Sequence, residues 1–255
     1  MKTPQQLFDL GGRHALVTGA GSGLGRSFAL QLAAAGATVT LAGRRPQPLE
    51  DTATAIRDAG GVAHVTRLDV RESESIDEAF AGLTAPLDIL VNNAGVAADN
   101  MLLQLDEKEW DLVFDANLKG AWLVARAAAR QMIATERGGS IINIASVLGS
   151  AVQKGTAPYA AAKAGLIHLT RAMALEWARY QIRVNAIAPG YYHTDMAAEY
   201  LDSASGQAMV KRIPQRRLGA PPELGGALLL LASEASSYMT GSVVTVDGGL
   251  SLAVI

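Results

Sequence analysis

The chain alternates short β-branched runs with longer alanine-rich stretches, and that alternation limits its possible folds more than any single motif. Strands are expected at His14–Val17, Thr38–Leu41, Val62–Leu68, Ile89–Val91, Ser140–Ile144, Arg183–Ile187 and Ser242–Val246. Between them the spacing predicts helices over Gly23–Ala35, Leu49–Ala59, Ser73–Leu83, Lys108–Arg137, Ala160–Tyr180 and Glu223–Ser233. Strands separated by helices of this length imply parallel βαβ units with both sheet faces covered. Right-handed crossovers then give an α/β, doubly wound Rossmann fold, mainly parallel, with helices on both faces. At 255 residues and 49% hydrophobic side chains, a single domain spanning 1–255 is expected, with no linker or repeat. The long stretch without an assignment is about Gly190–Gln215, which reads as a substrate loop or lid.

Composition narrows the function. Lys and Arg together number 22 against 24 Asp and Glu, a net charge of -2 that argues against nucleic acid or an anionic membrane as partner. Without cysteine the chain has no disulfide, thiolate metal site or cysteine nucleophile, and its four scattered histidines suggest no metal. No apolar run has the ~18 residues of a membrane span, and the start lacks a signal-peptide core. A soluble, cytoplasmic enzyme is the expectation.

After the first strand comes Thr18-Gly19-Ala20-Gly21-Ser22-Gly23-Leu24-Gly25, leading straight into a helix. The unpaired N–H groups and partial positive charge of a helix N-terminus favour a phosphate, and glycines let the backbone approach it. On its own such a stretch is only a tight turn; the strand–loop–helix context makes it a nucleotide loop. The second strand runs into Ala42-Gly43-Arg44-Arg45, without the acidic residue that would bond a ribose 2′-hydroxyl. Two guanidinium groups suit a 2′-phosphate, so NADP(H) is preferred and NAD(H) remains possible.

Tyr159 and Lys163 stand at i and i+4, on one helix face. A phenol with an ordinary pKa near 10 is a poor acid/base at neutral pH, and a nearby lysine ammonium, together with a cationic oxidised nicotinamide, is expected to lower it. Ser146 follows the apolar run Ile141-Ile142-Asn143-Ile144, at the strand end where doubly wound sheets place ligands. Its hydroxyl would hold a carbonyl oxygen.

With these residues in place, the chain resembles the short-chain dehydrogenases/reductases, in their compact branch. The resemblance runs over nearly the whole length: the glycine loop at 18–25, Leu68-Asp69-Val70, Asn92-Asn93-Ala94-Gly95, Asn117, Ser146, Tyr159, Lys163, Pro189-Gly190 with Thr194, and Val246-Asp247-Gly248-Gly249. It implies hydride transfer between nicotinamide C4 and a ketone or secondary alcohol, with Tyr159 as acid/base, Ser146 as carbonyl anchor and Lys163 binding the nicotinamide ribose. Asn117 is implied as a helix-kink residue linking Lys163 to solvent through a water. The implied cofactor groove comprises Gly19, Gly21, Ser22, Gly23, Leu24, Gly25, Arg44, Arg45, Asp69, Val70, Asn93, Ala94, Gly95, Tyr159, Lys163, Pro189, Gly190, Tyr192 (by its backbone) and Thr194. No metal is implied.

The substrate pocket is expected around Ser146, Val147, Leu148, Gln153, Tyr159 and Tyr191. Within the family, Ala188 to Met196 and the tail after Asp247 look like gluconate 5-dehydrogenases, which suggests a sugar acid or polyol. A 3-oxoacyl thioester or an apolar ketone stays open, because few polar groups surround Val147 and Leu148; Arg126, Arg130 and the basic run 211–217 would then face an acidic acyl carrier. A non-catalytic, NADP(H)-binding regulator is the alternative of another class, and it leaves Ser146, Tyr159 and Lys163 unexplained. Family members are mostly tetramers, and the alanine-rich Leu118–Ile133 and Ala160–Tyr180 with the apolar tail Leu250–Ile255 suggest a homotetramer here.

Overall fold

The computed structural model describes residues 2–97, 100–193 and 204–252. Seven strands form one sheet: β1 (His14–Thr18), β2 (Thr38–Gly43), β3 (Val62–Arg67), β4 (Ile89–Asn92), β5 (Gly139–Ile144), β6 (Ile182–Pro189) and β7 (Val243–Val246). Their order is β3-β2-β1-β4-β5-β6-β7 and every pairing is parallel. The chain winds outward from β1 in one direction, then returns to β4 and winds in the other. The crevice at the carboxyl ends of β1 and β4 is therefore the ligand position of such a sheet.

The helices are α1 (Pro4–Phe8), α2 (Gly23–Ala34), α3 (Pro46–Asp58), α4 (Ser73–Ala81), α5 (Glu107–Phe114), α6 (Gly120–Ala134), α7 (Ala157–Trp177), α8 (Ala204–Arg212) and α9 (Gly225–Ala232). Alternate strand residues feed two separate cores. Val17, Leu41 and Val91 pack with Phe28 and Leu32 of α2, Leu49 and Ile56 of α3 and Leu228 of α9. Leu16, Leu90 and Ile141 point the other way, onto Ile76 of α4, Leu123 and Met132 of α6 and Met173 of α7. Burying each such side chain contributes about 1.5–3 kcal/mol. No helix among the described residues is long and apolar enough to cross a membrane.

The predicted strands appear within a residue or two of their expected bounds, but several helices need correction. Lys108–Arg137 is two helices joined by a π-helical turn at Asp115–Lys119. The expected Ala160–Tyr180 helix starts three residues earlier, because Pro158 suits a first turn where its missing N–H has no role. Glu223–Ser233 divides into a 3₁₀ turn, Pro221–Leu224, and α9. Helix α8 lies inside the stretch given no assignment, and α1, capped by Thr3, was not expected either.

Three buried polar arrangements hold the layers together. At the amino ends of the strands Asp88, 4% exposed, accepts hydrogen bonds from Arg13 at 3.3 Å, Arg137 at 2.9 Å and the His14 N–H at 2.9 Å. Beneath the carboxyl ends, Asn92 Nδ2 donates to the Ala121 carbonyl and to Asn143 Oδ1, and Asn143 Nδ2 donates to Thr170 Oγ1. That chain ties α6 to α7 through β4 and β5. Arg183 of β6 donates to Ser236 Oγ at 2.7 Å and to the Leu231 and Ser233 carbonyls at 2.9 and 3.2 Å. Burial pushes its pKa down.

Candidate active site

The glycine loop is shaped by its surroundings. Gly19 and Gly23 have φ of 67° and 52°, a left-handed conformation that side chains disfavour. The Gly19 N–H donates to the Ala42 carbonyl at 2.8 Å, tying the loop to the end of β2. A Cβ at Gly25 would fall 2.1 Å from the Gly19 carbonyl oxygen and 2.5 Å from Asn93 Nδ2. Asn93 Nδ2 in turn donates to the Thr18 carbonyl at 3.0 Å. Ser22, the N-cap of α2, makes no side-chain cap, so its hydroxyl leaves the first-turn N–H groups to another acceptor. These features fit a dinucleotide pyrophosphate.

Arg44 and Arg45 are exposed past the end of β2 and make no hydrogen bond among the described residues. Asp69 is held by Arg71, at 3.1 Å from Nε and 2.7 Å from Nη2, and that pairing keeps its carboxyl below the usual range, with Arg44 adding a smaller pull. Arg44 therefore lies on the Asp69 side of the groove. Val70 is buried in the core shared with α6. Thr18, absent from the predicted set, organises the next segment: its Oγ1 accepts from the N–H groups of Asn93 and Ala94 at 3.0 and 2.9 Å. Gly95 allows close approach, since a Cβ there would lie 2.4 Å from Asn117 Oδ1 and 3.8 Å from Lys163 Nζ.

Ser146, Tyr159 and Lys163 come together where β5 ends and α7 begins. Ser146 Oγ accepts from the Leu148 N–H at 3.1 Å and lies near enough to the Tyr159 hydroxyl to draw its pKa down. Lys163 Nζ lies 5.5 Å from the Tyr159 ring centroid and donates to the Ile144 carbonyl at 2.7 Å. Burial pushes the ammonium down to about 8. It also pushes the Tyr159 phenol up, against the opposing pull of the nearby Ser146 hydroxyl. In the chain alone, burial thus outweighs the lowering expected from Lys163 acting together with the oxidised nicotinamide. Desolvation disfavours both charged forms, and the ammonium lies over the ring face, engaged by a backbone carbonyl. The Ile144 carbonyl has no side-chain signature, so it was absent from the predicted set.

Asn117 lies in the π turn, where the irregular backbone turns its side chain inward. Its Nδ2 donates to the carbonyls of Val96 at 2.8 Å and Val113 at 2.9 Å, and its Oδ1 accepts from the Val96 N–H at 3.3 Å. Asn117 thus pins the segment after β4 beside Lys163.

On the substrate side Val147 is buried, while the Tyr191 hydroxyl donates to Gln153 Oε1, joining two residues predicted to line the pocket. Tyr192 is buried, with its hydroxyl on the Val246 carbonyl at 2.9 Å. The neighbouring bridge uses the His193 N–H and the Tyr191 carbonyl, both bonded to Gly219, and leaves the Tyr192 N–H out of it. After Pro189, Gly190 lets the chain pass Asp247, whose Cα would stand 2.8 Å from an added Cβ. His193 is exposed, and Thr194 lies outside the described residues. Among the described residues no cluster of His, Asp and Glu is grouped to hold a metal.

A family model described as enoyl-(acyl carrier protein) reductase matches residues 19–251. The chain is 40% identical over 245 residues to a 3-oxoacyl-(acyl-carrier-protein) reductase of Aquifex aeolicus, covering 94% of this chain and 98% of the relative. It is 37% identical over 250 residues to gluconate 5-dehydrogenase of Gluconobacter oxydans, covering 96% and 97%. A crystal structure of a gluconate 5-dehydrogenase from Burkholderia cenocepacia, in complex with NADP and tartrate, superposes with a TM-score of 0.95 at 39% identity, covering 99% of this chain and 100% of that one.

Proposed function

The chain belongs to the short-chain dehydrogenase/reductase family of NAD(P)-dependent oxidoreductases, and from that premise we propose that it is an NADP(H)-preferring enzyme that interconverts a ketone and a secondary alcohol on a sugar acid or polyol. The observation that carries the reaction is the gathering of the Ser146 and Tyr159 hydroxyls beside buried Lys163, whose Nζ lies 5.5 Å from the Tyr159 ring centroid. Bound along the glycine loop, the nicotinamide dinucleotide supplies the hydride donor or acceptor.

The chain's own groups do the rest. Ser146 Oγ donates a hydrogen bond to the substrate oxygen and holds it beside Tyr159 Oη. In reduction, Tyr159 Oη gives its proton to that oxygen as negative charge develops there; in oxidation, the phenolate takes the hydroxyl proton back. Lys163, oriented by the Ile144 carbonyl, and Asn93, Ala94 and Gly95 form the wall on which the ribose would rest. Arg44 and Arg45 would take the 2′-phosphate.

The sugar-acid reading is supported by the likeness to gluconate 5-dehydrogenases and by the polar Gln153–Tyr191 pair. A 3-oxoacyl thioester is the second reading, favoured by the Aquifex relative and by Arg126 and Arg130 beside a small cleft between α4 and α6. The half-exposed Trp110 and Trp122 and the exposed Leu175, on α5 to α7, support a homotetramer, and a cytoplasmic location completes the reading. Reduced-nicotinamide absorbance, followed with NADPH and NADH against 5-ketogluconate and acetoacetyl-CoA, tests it. NADPH-dependent turnover of 5-ketogluconate is expected. Turnover of acetoacetyl-CoA alone would replace the substrate assignment, and a preference for NADH would remove the role of the arginines. Sedimentation as a monomer at micromolar concentration would refute the tetramer.

A further inference from the structure

We infer that Tyr191 and Gln153 work as one specificity device: the Tyr191 hydroxyl orients the Gln153 amide so that only its donor end meets the substrate. The inference rests on the reading that this site reduces an oxygen-rich substrate. A primary amide presents an acceptor at one end and two N–H donors at the other. The Tyr191 hydroxyl occupies Gln153 Oε1, and among the described residues no protein acceptor meets Nε2.

Each partner is anchored on an element of its own. The Gln153 carbonyl accepts from the Thr156 N–H at 3.4 Å and from Thr156 Oγ1 at 3.0 Å. Thr156 is the N-cap of α7, whose first turn carries Tyr159. The Tyr191 carbonyl accepts from the Gly219 N–H at 3.0 Å, and its ring packs on Met209, Ile213 and Leu218. Tyr191 is thus a positioning residue, and Gln153 the specificity-determining one. A hydroxyl, carboxylate or second carbonyl oxygen near the reacting ketone satisfies the amide. A plain alkyl ketone strips water from the N–H donors and returns nothing, which corresponds to a discrimination of about 10- to 100-fold.

The test is the ratio of kcat/KM for 5-ketogluconate to that for cyclohexanone, in the wild type, Gln153→Leu, Tyr191→Phe and the double variant. Gln153→Leu is expected to cut the ratio about tenfold or more by raising KM for 5-ketogluconate. Tyr191→Phe should lower the ratio part of the way, and the double variant should fall no further than Gln153→Leu, because the two act as one unit. A purely structural role would depress both substrates alike. An unchanged ratio in Gln153→Leu, or additive losses in the double variant, overturns the inference; if Gln153→Leu misfolds by circular dichroism, Gln153→Met gives the same readout. A wild type that reduces cyclohexanone but not 5-ketogluconate overturns the sugar-acid reading alone. The ratio is then taken with acetoacetyl-CoA, whose thioester carbonyl is the second oxygen, and the same loss or its absence decides the pair.

Discussion

The proposed dinucleotide groove and the proposed substrate pocket lie side by side on the carboxyl edge of one sheet, yet they are made of different material. The groove is mostly backbone: its loop is packed so closely that a methyl group at Gly25 would meet the Gly19 carbonyl. The pocket is made of side chains sent from separate loops, Val147 and Gln153 after β5 and Tyr191 after β6, which steady one another. A backbone site is fixed by the sheet and tolerates no graded change. A side-chain site can be altered one group at a time while the sheet stays as it is. Ser146, Tyr159 and Lys163 stand on the border, and both proposed roles draw on them.

Substitutions can break this contrast. The largest effect belongs to the border: Tyr159→Phe should lower kcat about 10³-fold while NADPH binding, read by fluorescence titration, holds. A variant retaining kcat within about tenfold would remove Tyr159 from the acid/base role. Next, Gly25→Ala should weaken NADPH binding about 100-fold, because the clash is with rigid backbone, whereas Gln153→Leu should leave that affinity alone. Equal losses in the two would abolish the distinction between groove and pocket.

Lys163→Met tests the border from the side of stability. The buried ammonium has a pKa of about 8 against an ordinary 10.5, so the folded chain holds this proton less tightly than the unfolded one. The charged form then costs stability, on the order of 3 kcal/mol below pH 8, and the cost is relieved as pH rises from about 8 to 10.5. Wild-type urea midpoints should climb through that window, and those of Lys163→Met should stay level while its activity is lost. A wild-type midpoint that falls over the same range would contradict the burial argument. Smallest of the four, Arg44→Ala or Arg45→Ala should raise KM for NADPH about tenfold and leave NADH within about twofold. Equal effects on both cofactors would place the arginines away from the 2′-phosphate.

The contrast also explains what the sequence made legible. Backbone sites are written in glycines, and the acid/base helix in a fixed i, i+4 spacing, so the loop at 18–25 and the Tyr159–Lys163 pair could be read directly. The sheet followed from the strand runs. Contacts to main-chain atoms could not be read, because no side chain marks the Ile144 carbonyl that holds Lys163. The meeting of Gln153 with Tyr191 joins residues 38 positions apart and depends on how two loops fold back. A kink at Asn117 is implied by the family resemblance, but its π-helical form is a matter of local backbone geometry that residue type alone does not announce. Helix α8, short and weakly apolar, offered too little periodicity to stand out within its loop.

Arg183 has a consequence for how the molecule opens. One guanidinium joins β6 to the last turn of α9 and to the segment that follows it. Freeing any of those carbonyls alone would leave a partly buried cation short of acceptors, so piecemeal fraying is disfavoured. Amide protons of β6, α9 and residues 233–239 should therefore exchange with solvent as one cooperative foldon, through a single shared opening, independent of whatever the neighbouring loops do to admit a substrate.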